Sequence, residues 1–136
     1  MAIKSFKEFN AEFKQRLAEK AQEELKFRAD HKAGEQERIV ANILLSLEKE
    51  LDTAIKNTCL GPVSAWESCH SFGYITKDDC KQIISGSLSQ IEFELIQLGY
   101  KFEADVIESN NGYQLTITLV LDVPPVTEAF GAILWL

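Results

Sequence analysis

The feature that most constrains what this chain can form is a turn signal between two alternating stretches near the C-terminal end. In residues 100–108 aromatic and aliphatic side chains alternate with charged ones, and in residues 113–123 Leu and Ile alternate with Gln and Thr. This period of two is typical of strands with one apolar face. Asn111-Gly112 between them, within Ser109–Gly112, is a strong hairpin signal. The pattern predicts an antiparallel hairpin whose second strand turns three side chains to the core: Leu115, Ile117 and Leu119.

A hairpin needs another layer over its apolar face, and residues 76–99 supply a helical pattern for it. Thr76 and Asp79 form a capping signature at its start, and Gly99 is a natural residue to end it. Its apolar positions recur every three or four residues: Cys80, Ile84, Leu88, Ile91, Leu95 and Leu98. We therefore expect an α+β fold, with two or three helices packed on a small antiparallel sheet that contains the C-terminal β-hairpin.

The pattern of residues 1–57 predicts a helical N-terminal part of the chain. Ser5 and Glu8 have capping-box spacing. An apolar stripe follows at helical spacing, made of Phe6, Phe9, Phe13 and Leu17, and a broader one occupies residues 39–55. Gly34 lies between the two stripes and leaves two possibilities open. One unbroken helix would measure about 80 Å at 1.5 Å per residue, which is long for this chain, so we favour a helical hairpin.

The chain length fits a single domain, residues 1–136. Between the helical patterns, residues 58–75 predict a loop that ends in a short strand at 72–75. After the hairpin, residues 124–136 form an apolar C-terminal tail that begins with two prolines.

Charge and cysteine content narrow the function classes. The net charge is −7, and residues 1–34 carry eight basic against six acidic side chains, so residues 35–136 carry six against fifteen. This distribution lacks the concentrated basic surface that general nucleic-acid binding requires. We expect no membrane span, because no apolar run reaches about 20 residues. Three cysteines without framework spacing, and no secretory signal pattern, favour reduced thiols and a cytoplasmic setting.

The candidate chemistry is sparse. Cys69 and His70 could form a thiol–imidazole pair, but adjacent residues of a strand point to opposite faces. Cys59, Cys69, His70 and Cys80 are possible zinc ligands, but no short knuckle spacing accompanies them. No phosphate-binding glycine loop occurs. We therefore expect no catalytic residues, no metal site and no cofactor.

Two other features suggest binding. A loop rich in aromatic residues could line a small-molecule site, for which the candidate residues are Trp66, Cys69, His70, Phe72 and Tyr74. Apolar side chains at both ends of the chain instead suggest a protein partner: Phe6, Phe9, Phe13, Phe130, Ile133, Leu134, Trp135 and Leu136. For the C-terminal tail the sequence leaves a second possibility open, in which it packs back onto its own chain as part of the core.

The sequence favours a non-enzymatic interaction or assembly protein. Its partner would be a second copy or another subunit, in a homo-oligomer or in a larger particle such as one of viral or phage type, or else a protein that it inhibits. A small-ligand binding module is the first alternative, and a Cys/His enzyme is the second.

Overall fold

The structure is a computed structural model that describes residues 3–121. These residues form two helices and three strands: α1 (Phe6–Asn57), β1 (Ser64–His70), α2 (Lys77–Gln97), β2 (Lys101–Ser109) and β3 (Gly112–Val120). The strands form one antiparallel sheet in the order β1-β3-β2. The expected α+β class, with a C-terminal hairpin beneath helices, is confirmed.

The favoured helical hairpin is wrong, because α1 runs without interruption through Gly34. Its 52 residues correspond to about 78 Å at 1.5 Å per residue. A single glycine inside a helix costs only about 1 kcal/mol relative to Ala. That cost is too small to reverse the chain, because Arg28 on one side of Gly34 bonds to α2 and Arg38 on the other side bonds to β1.

The predicted strand at residues 72–75 is also wrong. Phe72 and Ile75 form an isolated bridge around Gly73, whose φ of +53° makes this a tight turn. The strand lies earlier, at β1, where Ala65 and Cys69 are buried and Trp66 and His70 are exposed. Small and polar residues obscure its alternation in the sequence.

Both ends of α2 follow the predicted signals. Thr76 accepts from the Asp79 backbone N–H at 3.1 Å, and the Asp79 carboxylate accepts from the Thr76 backbone N–H at 2.9 Å. Gly99 adopts a φ of +85° after the helix, and the Tyr100 N–H returns to the Leu95 carbonyl. A Cβ on Gly86 would meet the Gln36 side chain at 2.3 Å, so this glycine permits the close approach of α1 and α2.

The hairpin has the predicted register. Ser109 pairs with Gly112, and residues 110–111 form the loop. Gly112 has a role that the turn signal does not reveal, because a Cβ there would lie 2.0 Å from the Cys69 carbonyl oxygen. Glycine is therefore needed where the end of β1 approaches the hairpin turn.

The helices cover one face of the sheet. α1 packs mainly over β1, and α2 packs mainly over β3. Leu115, Ile117 and Leu119 of β3 face the helices with exposures of 5% or less, as predicted. The opposite face carries the alternating residues of β3, which are partly buried. The helix side of the core includes Ile39, Ile43, Leu47, Ile83, Ile91 and Leu95.

This layering predicts unequal responses to substitutions at neighbouring positions of β3. Ile117→Ala should lower the free energy of unfolding by about 2–5 kcal/mol, because it removes a fully buried side chain. Thr116→Ala, on the open face, should cost less than 1 kcal/mol. Urea denaturation of the two variants measures both effects. Similar losses at the two positions would contradict the assignment of the faces.

Candidate partner-binding surface

The first 22 residues of α1, which we call the helical arm (residues 6–27), carry apolar side chains outside the core. Within residues 3–121, the buried residues of α1 begin only at Ile39. Phe6 is 80% exposed, and Phe9, Phe13 and Leu17 are each about half exposed. The arm is about 33 Å long at 1.5 Å per residue, so the predicted stripe lies along a helix that its own core does not cover.

The aromatic residues of the arm lie close to one another. The Phe9 and Phe13 rings stack with centroids 5.5 Å apart. Nearer the core, Phe27 stacks with His31 at 6.2 Å, and His31 meets the edge of Phe72 at 5.1 Å. The stripe therefore leads along α1 to Phe72 in the turn after β1, which joins the arm to one residue of the alternative ligand site.

Charged residues on the arm pair with one another. Lys4 forms an ion pair with Glu12, and Arg16 bonds to Glu19 at 3.2 Å. Such exposed pairs contribute little to stability. They do keep the flanks of the helix hydrated while the aromatic stripe stays apolar, which is the pattern of a helix that docks by one face.

The C-terminal end of the arm lies next to the contact between α1 and the start of α2. Among the described residues, Arg28 is the first side chain of α1 that bonds to another element. Its Nη2 and Nε atoms bind the two carboxylate oxygens of Asp79 at 2.9 and 3.2 Å, and Lys32 Nζ lies 2.9 Å from Asp79 Oδ1. Asp79 is 1% exposed. The Arg28 guanidinium, helped by Lys32 and Thr76, holds the pKa of the Asp79 carboxyl well below its usual range despite burial.

A second polar cluster joins α1 to β1. Arg38 binds Glu35 on its own helix, donates to Glu67 at 2.9 Å and donates to the Ser68 carbonyl at 3.2 Å. Asn42 donates to the other oxygen of Glu67. The hydrogen bonds that Arg38 donates to Glu35 and Glu67 raise the pKa of Arg38, and the bonds to Glu35 lower the pKa of that carboxyl. The two clusters fix α1 along much of its middle section.

The residues of the alternative ligand site do not converge. Cys69 is 3% exposed on the helix face of β1, whereas His70 is exposed on the other face, together with Trp66. Tyr74 is 53% exposed in the turn, and Phe72 contacts α1. The arrangement therefore forms no shared pocket from these five residues, and the Cys69–His70 pair is not brought together.

The two buried thiols lie side by side in the core. Burial, with a smaller contribution from the neighbouring Cys80 thiol, raises the pKa of Cys69 to about 12. Burial also raises the pKa of Cys80. Such thiols remain protonated at neutral pH and are poor nucleophiles. Cys59 is exposed at the far end of α1. In residues 3–121, no cluster of three or more His, Cys, Asp or Glu side chains could hold a metal ion.

Sequence reasoning missed an apolar groove at the opposite end of the molecule from the arm. Two adjoining cavities of about 370 and 450 Å³ lie there. The first is between the C-terminal part of α1 and the end of α2, and the second is between that part of α1 and residues 100 and 121. Leu51, Ile55 and Tyr100 line both of them. Glu48, Asp52 and Glu94 also line the first cavity. Apolar residues at helical spacing looked like core in the sequence, and only their three-dimensional arrangement shows which of them are left uncovered.

The predicted partner-binding residues near the C-terminus lie outside the described residues: Phe130, Ile133, Leu134, Trp135 and Leu136. Within residues 3–121, neither helix is long and apolar enough to cross a bilayer.

Comparisons with known proteins identify no relative. No protein-family model matches the chain, and neither a curated protein nor a solved structure gives a significant match.

The ion pairs of Asp79 with Arg28 and Lys32 generate a prediction about how stability depends on pH. At pH 7, Asp79→Asn should lower the free energy of unfolding by about 2 kcal/mol, the scale for losing a hydrogen-bonded charge whose partners keep some solvent contact. Folding stabilises the ionised form of Asp79, so this contribution is present above the unfolded pKa of about 3.9. It is lost as the pH falls from there towards the lower folded pKa.

Urea denaturation at pH 7, 5, 4 and 3 measures the difference between the wild type and Asp79→Asn. We expect it to shrink between pH 4 and pH 3. Asp78→Asn is the matched control, because Asp78 is exposed one position away and bonds only to Gln82 in the described chain. A difference at Asp79 that stays constant down to pH 3 would show that its charge is not what stabilises the contact.

Proposed function

We propose that this chain is a non-enzymatic assembly protein that binds another protein subunit through its helical arm. The observation that carries the proposal is the exposed stripe of Phe6, Phe9, Phe13 and Leu17. These residues have the spacing i, i+3, i+7 and i+11, with which an amphipathic helix fills an apolar groove on a partner. A stripe this long left in water would form an adhesive patch.

The stiffness of the arm supports this role. An isolated helix of about 20 residues is marginally stable in water, because its first turn is costly to form. The arm instead continues a helix whose second half is packed in the core, so that cost is already met. A docking helix that is ordered before it binds loses less conformational entropy on association.

A second copy of the chain is the partner that can be tested first, because a sample of the purified protein then contains both the arm and the surface that it would bind. The proposal also places the protein inside the cell or in a particle assembled there. Its three cysteines support that setting, because all are free and two are buried in the core.

The arm generates a prediction about association. The double substitution Phe9→Glu with Phe13→Glu should weaken association at least tenfold, because buried aromatic anchors at interfaces each contribute about 2 kcal/mol or more. The melting temperature of the unassociated chain should change by less than 2 °C, since both rings are about half exposed. Sedimentation equilibrium and native mass spectrometry measure the oligomer distributions of the wild type and of the double variant.

Leu45→Glu provides the matched control. Leu45 is 49% exposed on the same helix, about 48 Å along the axis from Phe13 at 1.5 Å per residue. We expect it to leave association unchanged. A wild-type chain that stays monomeric at high concentration would overturn self-association, and equal weakening by both variants would overturn the assignment to the arm.

A further inference from the structure

We propose that the apolar groove between the C-terminal part of α1 and the end of α2 is the docking site for residues 122–136 of the same chain. This inference is independent of the proposed function. It concerns the opposite end of the molecule and assigns the apolar tail to its own domain and not to an external partner.

The first argument is the position at which the described chain ends. Leu121, the last described residue, itself lines the groove together with Tyr100 and Leu60. The end of β3 lies beside the starts of β1 and β2, since Thr118 pairs with Ser64 and Val120 pairs with Lys101. The chain therefore leaves the sheet at the mouth of the groove.

The second argument is reach. Along α1, the groove extends from Leu44 to Thr58, which is about 21 Å at 1.5 Å per residue. Residues 122–136 span up to about 50 Å when extended at 3.3 Å per residue. The segment can therefore follow the whole groove.

The third argument is chemical complementarity. Three apolar residues that line the groove are exposed: Ile55 by 78%, Leu98 by 67% and Leu60 by 53%. Seven of the eight residues after position 128 are apolar, all except Gly131: Ala129, Phe130, Ala132, Ile133, Leu134, Trp135 and Leu136. The groove and the segment are both apolar, and they lie next to each other along the chain, so that docking within one chain benefits from a high effective concentration.

Sheet topology removes one alternative for the segment. β3 is the central strand, with β1 on one side and β2 on the other. A segment that follows β3 directly therefore cannot pair beside it. The groove is the apolar surface that Leu121 already lines where the described chain leaves β3.

Crosslinking in the full chain tests the proposal. Cys59 is exposed and lines the groove, whereas Cys69 and Cys80 are buried. Ala129→Cys and Ile133→Cys, made separately, each place one thiol in the tail. A short bismaleimide is added to the native protein, and the products are separated under reducing and denaturing conditions and identified by peptide mass. We expect a crosslink from Cys59 to the introduced thiol within one chain, absent when Cys59→Ser is added.

Blocking the groove provides the second part of the test. Ile55→Lys with Leu98→Lys changes two exposed side chains and should lower the rate of the intrachain crosslink at least fivefold. Ile107→Lys, at a residue 51% exposed on the open face of the sheet, is the matched control and should leave the rate unchanged. A rate that the groove lysines do not alter would overturn the proposal. Crosslinks that join two chains would show that the groove accepts a segment of a second copy and would overturn the assignment to the same chain.

Tryptophan fluorescence gives a readout that does not need these lysines to be tolerated. Trp66, one of the two tryptophans of the chain, is 61% exposed, so Trp66→Phe leaves Trp135 as the only tryptophan, whose emission is excited separately from that of the tyrosines. We expect acrylamide to quench Trp135 at least threefold less efficiently in the native chain than in urea. Equal quenching in the two states would show that Trp135 is not docked and would overturn the proposal.

Discussion

The contact of Asp79 with Arg28 and Lys32 is the constraint on which the arrangement of the helices depends. It joins positions 51 residues apart in the sequence and holds the middle of α1 against the first turn of α2. A buried carboxylate is costly unless its oxygens are satisfied. Here the same oxygens also complete the capping box at the start of α2, so one side chain begins one helix and positions the other.

This contact also marks the boundary between the arm and the packed part of α1. On its C-terminal side, Ile39, Ile43 and Leu47 bury the helix in the core, while on its N-terminal side the described chain gives α1 no other element to pack against. Because the helix is continuous through the contact, the arm takes its direction from the packed half. The stripe of phenylalanines is therefore presented in a defined orientation, without any packing of its own.

Local signals were enough to predict the hairpin and α2. The alternation around Asn111-Gly112 and the caps at Thr76 and Gly99 involve residues close in sequence, and the structure follows them. The continuity of α1 and the strand at 64–70 depend on distant partners instead. Gly34 looked like the end of a helix because the sequence does not reveal the contact of Arg28 with Asp79 on one side of it or that of Arg38 with Glu67 on the other. The strand β1 was hidden because Glu67, on its helix face, is paired with Arg38.

The same limit applies to the candidate surfaces. The spacing of Phe6, Phe9 and Phe13 predicted an apolar face, but only the fold shows that this face remains outside the core. For the groove, the sequence offered no signal at all. Leu51 and Ile55 belong to a stripe that reads as core, and only the positions of α2 and β3 in the fold leave them at an open groove.

The sheet edges explain why association would be directed to the arm. In the described structure, two side chains of α1 form hydrogen bonds with the backbone of β1. Arg38 donates to the Ser68 carbonyl, and Glu50 accepts from the Ser64 N–H. β2 leaves its outer edge unpaired among residues 3–121, but charged side chains recur along it at Lys101, Glu103, Asp105 and Glu108. Charges on an edge strand oppose pairing with another sheet. With two backbone groups of one edge engaged and the other edge charged, the proposal assigns the partner to the apolar face of the arm.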